Sequence, residues 1–173
     1  NFIIIMKNYG FIRTAAAVPV VKVADVAHNV EEICRLAAEA RDRQVTLIAF
    51  PELSVTGATC GDLFGNSLLI KAAEEGVKQI AEFSNGKDLT IVVGAPVKYA
   101  NHLYNTSVII NNGTVKGIVP KSLINTIENR WFTSGANAPS EVIPYAGGFC
   151  TMSPDMIFSI GGVEFAVELG EDI

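Results

Sequence analysis

Three residues that could take part in chemistry follow segments predicted to be buried strands. Glu52 comes directly after the apolar run 45–50, Lys121 ends the run IVPK, and Gly170 interrupts the stretch VELGEDI. A carboxylate at the end of a buried strand is partly desolvated, which suits a general base. An ammonium group there can stabilise a developing oxyanion, and a strand-to-turn junction can present a nucleophile among backbone amides.

Each of these residues also has a purely structural interpretation. Glu52 could be a loop or cap carboxylate satisfied by backbone amides, and Lys121 could be a solvated surface charge. Gly170 has no side chain to offer, and glycine commonly supplies a turn conformation that other residues resist. Taken one at a time, the residue types leave these alternatives open.

The elements that must position these residues alternate between strands and helices. Short apolar runs predict strands over 11–23, 45–50 and 89–96, the second and third buried on both faces. Apolar residues at spacings of three and four predict one helix that begins after Asp25 and a second over 67–83. The order strand, helix, strand, helix predicts a sheet with helices on one face.

The second half of the chain predicts hairpins. Segments 103–110 and 114–120 flank the turn Asn111-Asn112-Gly113, which is a strong hairpin signal. DMIFSI and VEFAVEL flank Gly161-Gly162 in the same way, whereas residues 122–146 are expected to be irregular. The predicted fold class is α/β, or a layered α+β sandwich.

Composition excludes several kinds of partner. The 173 residues are 49% hydrophobic and 18% charged, with a net charge of −5 and no basic stripe, which argues against nucleic acid or an anionic membrane surface. No apolar run reaches the roughly 18 residues of a membrane span, and FIIIM near the start is too short for a signal peptide. Three cysteines without a CxxC pair favour a reducing compartment, so we expect a cytoplasmic protein without disulfides or bound metal.

Taken together, the three segments resemble a known family. FPELSVTG (50–57), PKS (120–122) and VELGED (167–172) follow the order and approximate spacing of the nitrilase, or carbon–nitrogen hydrolase, superfamily. Within it, TCGDLF (59–64) and RWFTSG (130–135) most resemble the glutamine-hydrolysing domains of bacterial glutamine-dependent NAD synthetases. FIRTAAAVP and LYNTSVII are similar to the same branch. The resemblance implies that residues 1–173 are the N-terminal portion of such a domain, with a synthetase domain that would follow it absent.

The resemblance implies a fold and a reaction. Members form an αββα sandwich, which would be incomplete at its C-terminal side here, and they use a Glu–Lys–Cys triad. By resemblance, Glu52 is the general base, Lys121 the oxyanion stabiliser and Gly170 the nucleophile position, where a cysteine is expected. Glutamine is the implied substrate, and its ammonia would amidate nicotinate adenine dinucleotide to NAD. No cofactor is implied for this portion; ATP and Mg²⁺ would belong to the synthetase domain. A homo-oligomer is also implied.

The chain departs from that family pattern at several positions. Without a thiol at position 170, the chain as written is expected to be inactive in covalent hydrolysis. Ala58 stands where this branch carries a tyrosine that lines the glutamine pocket. The segment KSLINTIENRWF is several residues shorter than the family's loop, and Glu128 matches the last glutamate of that loop. Cys60 is expected to be part of the TCGDLF loop rather than a substitute nucleophile.

Two other functions are consistent with the same motifs. One is a stand-alone nitrilase-type amidase that acts on another small amide, against which TCGDLF and RWFTSG weigh. The other is a non-catalytic pseudoenzyme, retained for assembly or for regulation of a partner.

Overall fold

Two amphipathic helices lie on one face of a seven-stranded mixed sheet. The computed structural model describes residues 11–172. The elements, in chain order, are β1 (Thr14–Ala16), α1 (Val26–Asp42), β2 (Leu47–Ala49), α2 (Ser67–Ser84), β3 (Thr90–Tyr99), β4 (His102–Asn111), β5 (Thr114–Pro120), β6 (Glu141–Tyr145), β7 (Gly148–Met152), β8 (Phe158–Ile160) and β9 (Val163–Phe165). Short 3₁₀ turns occupy Gly61–Gly65, Glu128–Arg130 and Gly135–Asn137. No helix among these residues is long and apolar enough to cross a membrane.

Both predicted helices are confirmed, and each begins at a capping side chain. The Asp25 carboxylate accepts a hydrogen bond from the His28 backbone N–H at the start of α1. The Asn66 side-chain oxygen accepts a hydrogen bond from the Leu68 backbone N–H at the start of α2. The apolar stripes of the two helices are buried together, and Gly76 of α2 allows a close approach, because a Cβ there would lie 2.8 Å from Val26 of α1.

The strand order of the large sheet is β1-β2-β3-β4-β5-β7-β6. β1, β2 and β3 are parallel, and β3, β4 and β5 form antiparallel pairs. Asn112 and Gly113 both have positive φ, 45° and 80°, as a two-residue hairpin turn requires. The predicted hairpin of β4 and β5 is therefore confirmed at its turn.

The two faces of this sheet have different neighbours. Ile91, Val93 and Val108 point into the core beneath the helices. Val92, Ile109 and Val119 point to the opposite face, where they pack with Leu169 and with part of segment 156–167. That segment includes the β8–β9 hairpin, which is confirmed around Gly161-Gly162. Residues 11–172 thus form a helix layer, a large sheet and a two-stranded second sheet, so the mixed α/β class is confirmed.

Four sequence expectations need correction or limits. Residues 122–146 are not irregular throughout, because 141–145 pair with 148–152 as an antiparallel hairpin. Pro144 lies in β6, which is an edge strand, where a missing backbone N–H costs no ladder bond. The first strand covers only Thr14–Ala16, and the run FIIIM lies outside the described residues. Residues 166–169, before Gly170, have no strand assignment.

Candidate active site

Glu52 lies in a tight turn between β2 and the loop that leads to α2. Leu53 has a positive φ of 52°, and its carbonyl accepts from the Gly57 N–H at 2.7 Å. The Glu52 carboxylate accepts hydrogen bonds from Asn105 Nδ2 at 2.8 Å and from Lys121 Nζ at 3.2 Å. Side-chain nitrogens therefore hold this carboxylate, which is not the arrangement of a loop carboxylate satisfied by backbone amides.

The turn that carries Glu52 can approach β3 only because residue 94 is glycine. A Cβ at Gly94 would lie 2.2 Å from the Leu53 backbone N and 2.5 Å from the Pro51 carbonyl O. The Gly94 N–H donates to Ser54 Oγ at 3.2 Å, and the Val55 N–H donates to the Gly94 carbonyl at 3.0 Å. This backbone contact with β3 fixes the position of the Glu52 backbone, and therefore the point from which its side chain extends.

Lys121 is a buried cation between two carboxylates. Its backbone N–H continues the β4–β5 ladder by donating to the Asn105 carbonyl at 2.8 Å. Its side chain is 7% exposed, and Nζ lies 3.2 Å from Glu52 Oε2 and 2.9 Å from Glu128 Oε1. Burial lowers the pKa of this ammonium, but hydrogen bonds to Glu128 and Glu52 outweigh burial, so its pKa is raised. The interpretation of Lys121 as a solvated charge is therefore wrong.

Glu128 reaches the site from the short segment that follows Lys121. Asn125 organises this segment, since its Oδ1 accepts from the backbone N–H groups of Ile127 and Glu128 at 3.0 and 2.9 Å. The Glu128 carboxylate accepts from Lys121 Nζ and from the Asn125 N–H. The shortened loop thus still places an acidic side chain against the lysine.

A side chain at position 170 would point directly at this ion cluster. An ideal Cβ built on Gly170 would lie 2.8 Å from Lys121 Nζ and 2.9 Å from Glu52 Oε1. The residue has a φ of 58°, so it also supplies a turn conformation that other residues resist. The turn conformation accounts for glycine at this position, whereas its interpretation as a nucleophile position stays a prediction. Any side chain at position 170 would meet both Glu52 and Lys121.

Asp172 ties this turn to the end of β5. Its carboxylate accepts from the Ser122 N–H at 2.8 Å and from the Leu123 N–H at 2.6 Å, while its own N–H donates to the Leu169 carbonyl. Charge-assisted hydrogen bonds of this kind are stronger than neutral ones. These hydrogen bonds therefore hold the backbone that follows Lys121 against the turn that contains Gly170.

None of the three cysteines of the chain has the environment of a reactive thiolate. Burial raises the pKa of the Cys34 and Cys150 thiols to about 11. The Cys60 thiol is buried and donates to the carbonyls of Thr56 and Gly57 at 3.2 Å, and burial raises its pKa as well. Cys60 is therefore a packing residue of the 57–65 loop, as expected. Ala58, in the same loop, is exposed.

Sequence reasoning missed two side chains near this site. Asn105 is fully buried in β4, and the available signal was a polar residue inside the apolar strand LYNTSVII. Asp62 accepts from Arg130 Nη2 at 3.1 Å and from Trp131 Nε1 at 3.0 Å. This contact joins TCGDLF to RWFTSG, two segments whose proximity no local pattern predicts.

The cluster as a whole combines two carboxylates, one ammonium and a turn aimed between them. Glu52 and Glu128 are hydrogen-bond acceptors when ionised, and Lys121 is a cationic donor. Such a set can accept a proton from an incoming nucleophile on one side and polarise a carbonyl oxygen on the other. The described residues contain no group of three or more His, Cys, Asp or Glu placed to hold a metal ion.

Comparison with known proteins gives consistent results. Residues 13–146 match the model of the family described as carbon-nitrogen hydrolase. The chain is 32% identical to a glutamine-dependent NAD(+) synthetase of Mycobacterium leprae over 96% of its own length and 25% of that protein. The corresponding Aquifex aeolicus synthetase is 33% identical over 65% of this chain and 20% of its own. The matched part of this chain thus spans a quarter or less of the length of these curated relatives.

Solved structures show the same fold. A glutamine-dependent NAD(+) synthetase from Cytophaga hutchinsonii superposes with a TM-score of 0.81 at 27% identity, over 88% of this chain and 27% of that one. An amidase from Nesterenkonia sp. matches with a TM-score of 0.63 at 21% identity, over 82% and 54% of the two chains. The nitrilase-like α/β fold expected from the sequence is confirmed by these matches.

Proposed function

Because the chain belongs to the carbon–nitrogen hydrolase family, we propose that it is the N-terminal portion of the glutamine-hydrolysing domain of a glutamine-dependent NAD synthetase. Position 170 is the nucleophile position of this domain, and here it holds glycine. The domain would then bind glutamine without forming a covalent intermediate. The synthetase relatives support the assignment to this branch.

One observation carries the proposal. A Cβ at position 170 would lie within 3.0 Å of both Lys121 Nζ and Glu52 Oε1, so a thiol attached to it would meet a base and a cation at once. The three segments come from distant parts of the chain and converge at one point. A turn with only a structural role would not require position 170 to face a buried lysine between two carboxylates.

The proposed roles follow from this geometry. With a thiol at position 170, Glu52 would take its proton, and the sulfur would attack the side-chain amide carbon of glutamine. Lys121 would stabilise the oxyanion, ammonia would leave with a proton returned by Glu52, and water would then cleave the thioester to glutamate. With glycine, no thioester can form, and Glu52 and Lys121 can only bind and polarise the amide.

The remaining expectations belong to the whole protein. Ammonia would pass to a synthetase domain of the same polypeptide, which would use ATP and Mg²⁺ to amidate nicotinate adenine dinucleotide. We also propose a homo-oligomer, as the resemblance implies, and a cytoplasmic location, as the cysteine pattern favours. Ala58 weakens the case for tight glutamine binding, because it presents only a methyl group where the family has a tyrosine.

The test is ammonia release from glutamine by the full-length protein and its Gly170→Cys variant. Lys121 Nζ and Glu52 Oε1 must both move for the new side chain to fit, which the flexible ends of these side chains allow, and φ near 58° adds strain. We expect activity only in the Gly170→Cys variant, and we expect the added substitution Glu52→Gln to lower it by about 10²–10⁴-fold. Equal activity with and without the thiol would contradict the proposal.

A non-catalytic role is the second candidate, and Gly170 itself favours it. If Gly170→Cys releases no ammonia but calorimetry detects glutamine binding, the domain is a sensor or assembly unit. If it neither releases ammonia nor binds glutamine, and other small amides are hydrolysed, the alternative of a different amidase is supported.

A further inference from the structure

We propose that Asn105 is the positioning residue of this site, which selects the oxygen of Glu52 that faces position 170. The inference rests on the proposed function, in which Glu52 is the base. It concerns a residue that the sequence motifs did not identify as part of the site.

Asn105 contacts both charged partners at once. Its side-chain Nδ2 donates to Glu52 Oε2 at 2.8 Å, and its backbone carbonyl accepts from the Lys121 N–H at 2.8 Å. The residue is fully buried in β4, whose neighbouring residue Thr106 pairs with Pro120, directly before Lys121. One rigid strand position therefore sets the start of the lysine side chain and the orientation of the glutamate head group.

The two oxygens of Glu52 have different surroundings. Oε2 accepts from both Asn105 Nδ2 and Lys121 Nζ, whereas Oε1 is the oxygen that lies 2.9 Å from the Cβ position of residue 170. Two donors on Oε2 fix the rotation of the carboxylate, and this leaves Oε1 to receive a proton from a nucleophile. Loss of the Asn105 donor would leave only the flexible lysine head to orient the group.

A second observation separates this role from ordinary packing. Asn105 Oδ1 is buried without a hydrogen-bond partner among the described residues. A buried carbonyl oxygen without a partner destabilises the folded chain, so a leucine of similar size would serve packing better. The amide is therefore explained by what Nδ2 does to Glu52 and not by the stability of the strand.

The test is a double-mutant cycle in the full-length protein that carries Gly170→Cys. The variants are Asn105→Leu, Glu52→Gln and both together, with Thr106→Val as the matched control. Thr106 is also fully buried on β4, and its hydroxyl donates to the Ala95 carbonyl at 2.8 Å, away from Glu52. Two rates are measured for each variant: ammonia release from glutamine and alkylation of the introduced thiol by iodoacetamide.

If Asn105 acts through Glu52, Asn105→Leu lowers kcat about 10²-fold with little change in KM, and costs no more than about 2-fold when Glu52→Gln is already present. An equal loss in both backgrounds, an equal loss in Thr106→Val, or no loss at all would overturn the inference. Should the leucine variant fail to fold, Asn105→Ala, which removes the donor without adding volume or charge, enters the same cycle.

The alkylation rate keeps this inference distinct from the proposed function. If no variant releases ammonia from glutamine, the proposed substrate is wrong. The alkylation cycle still decides whether Asn105 acts through Glu52, since iodoacetamide needs only the thiol and its base. Slower alkylation after Asn105→Leu when residue 52 is glutamate, but not when it is glutamine, supports the inference. An alkylation rate that does not depend on Asn105 overturns it.

Discussion

Gly94→Ala should separate the turn that carries Glu52 from the strand that supports it. The added methyl group would lie 2.2 Å from the Leu53 N and 2.6 Å from the Glu52 carbonyl carbon, and both are backbone atoms that no side-chain rotation can move. Restoring an ordinary contact of 3.4 Å at the first of these requires a displacement of about 1.2 Å. Overpacking of this kind costs about 3 kcal/mol at its upper end.

The assay has two parts. Urea unfolding at pH 7 gives the free energy of unfolding, which we expect to fall by about 3 kcal/mol. In the Gly170→Cys background, a displacement of this size should also lower ammonia release about 10²-fold, because the base is no longer in place.

Gly148→Ala is the matched control. Gly148 also lies in a strand of the same sheet, but a Cβ there would meet nothing within 4 Å. The substitution should be neutral, or should stabilise by about 0.4–1 kcal/mol through the unfolded chain. A Gly94→Ala variant with the unfolding free energy of the control would refute the argument that glycine at 94 permits the close approach.

Three other predictions concern Lys121, Asp172 and the Cys34 and Cys150 thiols. Lys121→Met leaves Glu52 and Glu128 without their shared cation and should cost about 2–3 kcal/mol in urea unfolding, below the full buried-pair value because both carboxylates are partly exposed. The pKa of Lys121 is raised in the folded chain, so its contribution to the free energy of unfolding is complete below about pH 10.4. This contribution is lost as pH rises through the folded pKa, and the unfolding free energies of wild type and variant should converge there. Asp172→Ala removes the acceptor of the Ser122 and Leu123 amides and should cost about 1–3 kcal/mol, with Glu171→Ala, at an exposed neighbour, near zero. The Cys34 and Cys150 thiols, with pKa values of about 11, should react with iodoacetamide at pH 7.5 at least about 10-fold more slowly in the native than in the unfolded chain. Rapid labelling of the native protein would contradict the raised pKa of these thiols.

Local patterns predicted the helices and the central strands well. α1 begins directly after its Asp25 cap, and α2 matches the predicted span 67–83 to within one residue. Both depend on signals carried by neighbouring residues, a cap and a repeat of three and four. β2 to β5 follow from continuous apolar runs and from one hairpin turn, which are also local.

The missed features depend on contacts between distant residues. β6 was not predicted because Pro144 argues against a strand, and only its edge position makes the proline acceptable. Asn105 looked like one polar residue in an apolar strand, and its partners lie 53 residues earlier and 16 residues later in the chain. The direction in which position 170 points could be inferred only from the resemblance, since glycine carries no side chain whose type would report it.

The sequence separation within the ion cluster has a kinetic consequence. Lys121 contacts Glu52 across 69 residues, and Ser122 contacts Asp172 across 50. Contacts of such long range form after large loops have closed. Glu128 is local to the lysine, but full burial of the ammonium group carries a net cost until the distant carboxylate of Glu52 arrives. The lysine should therefore remain hydrated in the folding transition state and become desolvated after it. Replacing Lys121 would then accelerate unfolding while leaving the refolding rate almost unchanged.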